Sequence, residues 1–262
     1  TAPIQRPING VYSKKNGSGI LTFSIGATQQ WLLPHSCHLQ MKIRVLQGDG
    51  NRPNNNSQGG GAVKNITLDS RTGGIGLIQS IMVNTKQGRT LEHGRNYCRM
   101  AGTVIPNTKS WEDYTTYISN IYGSTANSFA EDRITNRDIL VSQPLLLGTF
   151  SGEPIPLGMN NGVGGLDIMV YLENNPSALF GANASDDGGA YYEILECSLT
   201  GKYLNPLNGR LPDIKGWTYS NVHSYYNTIT QGDETLVLNP GLGNVLSPFS
   251  SFVPTPHLSN YS

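Results

Sequence analysis

Apolar and polar residues alternate along much of this chain with a period of two. Residues 37–45 are the clearest case, with Cys37, Leu39, Met41, Ile43 and Val45 on one face and His38, Gln40, Lys42 and Arg44 on the other. Successive strand side chains point to opposite sides, so this pattern predicts a half-buried strand. Residues 20–27 repeat it with Leu21, Phe23, Ile25 and Ala27 inward, and residues 166–172 with Leu166, Ile168, Val170 and Leu172. Within the stretch 74–97, residues 75–83 place Ile75, Leu77, Ile81 and Val83 on one face. A polar turn at 84–88 and a second extended run through Leu91 then predict a hairpin.

Weaker signals fill the intervals. Trp31-Leu32-Leu33-Pro34 reads as an apolar corner and residues 47–61 as an exposed polar loop. Residues 65–68 predict a short returning strand. The spacing of Trp111, Tyr114, Ile118 and Ile121, with Ser110 as cap, predicts one helix over 107–123. Strands are expected at 138–141 and 145–150, with Pro144 marking an edge or a break. A glycine-rich turn at 160–165 precedes the strand at 166–172, and a turn at 184–189 precedes a last long strand over 191–204. About eight strands joined by long loops is the number a jelly roll needs. The expected fold class is therefore all-β: an eight-stranded antiparallel jelly-roll sandwich with one short helix, followed by the start of a second β domain.

The domain reading follows from the punctuation. Residues 1–19 carry Arg6, Lys14 and Lys15 without an acid and read as an N-terminal arm, crossing a neighbour or frayed. Residues 20–204 form the first sandwich and 205–216 a linker. Residues 217–262 start again, with strand-like runs at 217–219, 225–230 and 236–238. They read as the opening of a second roll or a C-terminal extension. The chain opens at Thr1 without Met, which predicts processing or a longer parent chain.

Composition supports a β fold and narrows the partners. The 31 Gly and 15 Pro cut the chain into short segments, while 37% hydrophobic residues suffice for a core. Eighteen basic residues balance eighteen acidic ones, which argues against direct nucleic-acid binding, because phosphate contacts need excess Lys and Arg. Locally the balance is uneven: Lys86, Arg89, Arg95, Arg99 and Lys109 face Glu92 alone, whereas Asp186, Asp187, Glu193 and Glu196 cluster in 186–196. These are either solvated loops of opposite sign or complementary patches between copies. No run approaches the length of a transmembrane helix, and no signal peptide is visible.

Candidate chemistry is sparse. Cys37, Cys98 and Cys197 are far apart and odd in number, so they predict reduced thiols rather than a zinc site or disulfides. His35 and His38 fall on opposite strand faces and share a metal only if His35 lies in the preceding bend. Asp167 and Glu173 share a face, but six residues at ~3.3 Å each put them about 20 Å apart, beyond the ~5–10 Å of a glycosidase pair. Glu193 and Glu196 are split by their odd spacing. The loop Gly48-Asp49-Gly50-Asn51 has one acid for a calcium ion, which fits a plain turn better. Gly241-Leu242-Gly243 lacks the third glycine of a dinucleotide fingerprint. Sequons at Asn16, Asn55, Asn65, Asn183 and Asn260 match chance in so Asn-, Ser- and Thr-rich a chain. No catalytic, cofactor-binding or metal residue is assigned, and no enzyme activity is expected.

The order of segments carries a resemblance. An alternating strand pair precedes LIQSIMVNTKQGRTLEHGRNY, then a predicted helix, then QPLLLGTFSGEPIPLGMNNGVGGLDIMVYLE and YYEILECSLTGKYL. Over residues 20–204 this resembles the first jelly roll of the double jelly-roll major capsid proteins of tailless icosahedral DNA viruses. That group spans adenovirus hexon, virophages and polinton-like viruses. Its most telling pieces are the hairpin ending in Leu91-Glu92 with Tyr97 after it, and IPLGMNNGVGGLDIMVYLE. The resemblance implies a structural viral capsid protein found in the virion, with two rolls per chain and a homotrimeric, pseudo-hexameric capsomer. It also implies penton or minor capsid partners and long loops that form contacts between copies. The alternative is a carbohydrate- or receptor-binding β-sandwich, spike- or lectin-like, which needs aromatics at loop tips. Trp31, Trp111 and Trp217 read instead as core or helix residues.

Overall fold

The computed structural model describes residues 2–5, 12–13, 19–46, 50, 67–68, 73–108, 138–160, 162–173, 179–180, 191–205 and 217–223. Its strands, in chain order, are β1 (Ala2–Gln5), β2 (Tyr12–Ser13), β3 (Ile20–Ile25), β4 (Trp31–Leu32), β5 (His38–Leu46), β6 (Thr67–Leu68), β7 (Ile78–Thr85) and β8 (Thr90–Gly94). After the helix α1 (Tyr97–Thr108) come β9 (Ile139–Pro144), β10 (Ile155–Pro156), β11 (Leu166–Leu172), β12 (Leu179–Phe180), β13 (Tyr191–Gly201) and β14 (Tyr203–Leu204).

Two sheets carry the core. One runs β1-β13-β5-β9, with β2 also on β13, and the other runs β3-β11-β7-β8. Every pairing is antiparallel. Two small ribbons, β10-β4-β14 and β12-β6, lie beside them. The alternating positions behave as their period requires: Leu39, Met41, Ile43 and Val45 of β5, Leu21, Phe23 and Ile25 of β3, and Leu166, Ile168, Val170 and Leu172 of β11 are all buried. They join Ile81 and Val83 of β7 in a single hydrophobic cluster. The chain is an all-β sandwich with one α-helix among its described residues.

Several expectations change in detail. Ala27 is exposed, because β3 ends at Ile25 and the chain turns away through Gly26. Ile75 and Leu77 are buried as expected, but on a 3-10 turn (Gly73–Leu77) that precedes β7. Residues 145–150 are not a strand. Pro144 ends β9, and the chain descends with Leu145, Leu147 and Phe150 buried into a 3-10 turn at Gly148–Phe150. The last long strand divides, since β14 leaves the main sheet to pair with β4. Residues 217–219 form no strand. Two pieces of the expected arm, β1 and β2, lie on the β13 edge of the same chain.

The described helix begins ahead of the expected span and reaches its first two residues, Asn107 and Thr108. Residues 97–108 are helical, immediately after the hairpin, with Tyr97, Cys98 and Ala101 turned to the core. Of the span expected to be helical, 109–123 lies outside the described residues. So do most of the 47–61 loop and all of the sequons.

Candidate functional site

Four places gather polar or charged side chains, and the outer face of the β5 sheet is the first. Lys42 and Arg44 point outward as their alternation predicts, and acids on β13 and just before β9 answer them. Arg44 lies 2.9 Å from Asp138 and 3.9 Å from Glu193, and Lys42 lies 3.9 Å from Glu196. Glu193 and Glu196 therefore share a face, contrary to their spacing. A β-bulge between Ile194 and Glu196 adds one unpaired residue, which inverts the parity of the strand. Tyr192 and Ile194 point inward before it and Leu199 after it. Both carboxylates are engaged by cations of the neighbouring strand.

The second place is a cleft of about 530 Å³ at the end of the same face, lined by residues that include His35, Ser36, His38, Ser142, Thr200 and Lys202. His35 lies in the bend before β5, in the left-handed region at φ 54°. The condition for the two histidines to meet is thus satisfied, and both line one cleft. Burial, followed by the nearby Lys202 charge, pushes the His38 imidazole below its usual pKa. No group of three metal-ligating side chains occurs among the described residues.

The third is the end of the β7–β8 hairpin. Lys86 lies 2.5 Å from Asp167 and also donates to Ser24, which itself donates to Asp167 at 2.7 Å. Burial pushes the Asp167 carboxyl up, but the Lys86 and Ser24 hydrogen bonds and the Lys86 charge outweigh it and hold the carboxyl below its usual range. Asp167 faces outward here, whereas Glu173 is buried beyond the end of β11, so the two do not share a face. Of the basic hairpin residues, Lys86 is thus committed within the chain. Arg89 and Arg95 are exposed.

The fourth place is buried and was not foreseen. Glu92, on β8, is 2% exposed and accepts four hydrogen bonds. Its Oε1 takes the backbone N–H of Gly148 (3.1 Å) and of Val222 (2.9 Å), and its Oε2 takes the N–H (2.8 Å) and hydroxyl (2.7 Å) of Thr149. A buried carboxylate is tolerated only when paired or hydrogen-bonded this fully. Beside it the Tyr97 hydroxyl accepts from the Leu146 N–H at 2.7 Å and donates to the Pro144 carbonyl at 3.4 Å. Glu92 and Tyr97 together fix the descent from β9 into the 3-10 turn. Sequence pattern marked Glu92 and Tyr97 without revealing their role, because the donors arrive from residues 49 to 130 positions away.

Cys37, Cys98 and Cys197 form no disulfide with one another; Cys37 and Cys98 are buried and Cys197 is half-buried. No helix among the described residues is long and apolar enough to cross a membrane. No protein-family model matches the chain, and no curated protein matches it significantly.

Proposed function

We propose that this chain is a structural viral capsid protein whose first domain is a jelly roll of the double jelly-roll class, assembling into trimeric, pseudo-hexameric capsomers of an icosahedral shell. The order of the strands carries this reading. Numbering β1, β3, β5, β7, β8, β9, β11 and β13 from one to eight, the two sheets run 1-8-3-6 and 2-7-4-5. The antiparallel neighbours 1:8, 2:7, 3:6 and 4:5 are those of one long hairpin ribbon rolled up on itself, which is how a jelly roll is built. Such a wall is rigid without any chemistry, and wet, uncharged loops suit contacts repeated over a lattice.

The polar clusters fit the same reading. The buried carboxylate of Glu92 is saturated by structural donors, and the charged pairs on the outer face of the β5 sheet are made within one chain. On this reading the chain has no catalytic residue, cofactor or resident metal. Its partners are further copies of itself and other capsid proteins, and its place is the virion, assembled in the host cell. On this reading residues 217–262 are the opening part of a second roll or a C-terminal extension. Native mass spectrometry of the complete gene product tests the proposal, with a trimer as the expected species and this protein as the most abundant one in purified particles. A monodisperse monomer overturns it, and a monomer that binds glycans points to a receptor-binding sandwich instead.

A further inference from the structure

Residues 217–223 cross the end of the sandwich without forming a strand. We infer that Glu92 and the turn at 148–152 form a docking site that reads main chain, occupied by this segment and latched by the Glu92 carboxylate.

Three observations converge on it. The Val222 N–H reaches the same Oε1 that holds the Gly148 N–H, so one buried oxygen joins the turn to the segment. Gly148 is the floor: a Cβ there would lie 2.3 Å from the Ser220 carbonyl oxygen and 2.6 Å from its carbon. Both are main-chain atoms, so the approach is closed to any side chain. Gly152 continues the floor beneath Thr218 and Tyr219, again facing backbone. At the near end Trp217 and Tyr219 stack at 4.6 Å and pack against the core.

The side chains of Thr218, Ser220 and Asn221 are exposed. Recognition therefore rests on the backbone of the segment, on its Trp217 and Tyr219 side chains, and on Glu92 and Gly148 of the sandwich. Glu92 and Gly148 are restricted, whereas positions 218, 220 and 221 are free to vary. The latch fixes the point from which the chain departs the sandwich, whatever the chain assembles into, so its test is independent of the capsid reading.

Hydrogen exchange of the whole chain, followed by mass spectrometry, provides that test. Glu92→Ala removes the acceptor, and Gly148→Ala drives a methyl into the Ser220 backbone while leaving the carboxylate intact. Both are expected to speed exchange over 220–222 by at least about tenfold, the scale of a lost hydrogen bond to a charged group. Strands β5 and β11 should keep their protection. The triple substitution Thr218→Ala, Ser220→Ala, Asn221→Ala should leave exchange over 220–222 unchanged. Unaltered protection of 220–222 in Gly148→Ala overturns the inference, and so does a loss in the triple variant as large as in Glu92→Ala. Should Glu92→Ala fail to fold, Gly148→Ala alone decides.

Discussion

Tyr97 and Cys37 show how burial sets the chemistry of single residues. Tyr97 is fully buried, and burial pushes its phenol well above the usual range, so the hydroxyl stays protonated and holds the Leu146 N–H. Tyr97→Phe leaves that donor buried without an acceptor. The expected cost is about 1–3 kcal/mol, read from urea unfolding at neutral pH. Burial also pushes the Cys37 thiol up from 9.0 to about 12. Its folded-state pKa is raised, so its contribution is intact below pH 9.0 and declines as pH rises toward about 12. The urea midpoint should therefore fall across that window, and less steeply in Cys37→Ser than in the parent. Native Cys37 should also resist iodoacetamide at pH 8.5 on the time scale that modifies the unfolded chain.

Turns and bulges decide the course of each element. Gly88 closes the β7–β8 turn at φ 87°, with nothing near the position of an added Cβ. Gly165 opens β11 at φ 97°, and a Cβ there would lie 2.6 Å from the Ile25 carbonyl oxygen. Gly88→Ala should cost about 1 kcal/mol through backbone strain alone, whereas Gly165→Ala adds a clash with backbone and should cost about 3 kcal/mol or more. Thermal unfolding of the two variants side by side checks the difference. The hairpin turn and the glycine-rich turn were legible in sequence because Gly and Asn announce them. The β13 bulge was not, since one extra residue in an apolar strand leaves no compositional trace, yet it reverses where Glu193 and Glu196 point. The helix over 97–108 left no signal for a related reason. Residues 97–108 contain Gly102, Val104 and Pro106, poor helix formers, and their helicity comes from packing Tyr97, Cys98 and Ala101 on the core.

At the scale of the molecule, the first strand completes one edge of the sandwich. β1 covers the edge of β13 through pairings of Ala2 with Gly201 and Pro3 with Thr200. An uncovered β13 edge would present unpaired N–H and C=O groups, a template for another chain. Deleting residues 1–5 should therefore promote self-association, seen as concentration-dependent growth in light-scattering mass. Unchanged mass would mean that this strand pairing contributes little.

The sequence by itself determined the β class, the inward faces of β3, β5, β7 and β11, and the Leu91-Glu92 and Tyr97 markers, because a period of two is a local property that burial then obeys. Tertiary structure alone decided the strand order, the parity of β13, the site of the helix and the latch at Glu92. Each of those depends on partners distant in the chain: Glu92 is defined by Gly148, Thr149 and Val222, and no local pattern encodes which donors a buried carboxylate will meet.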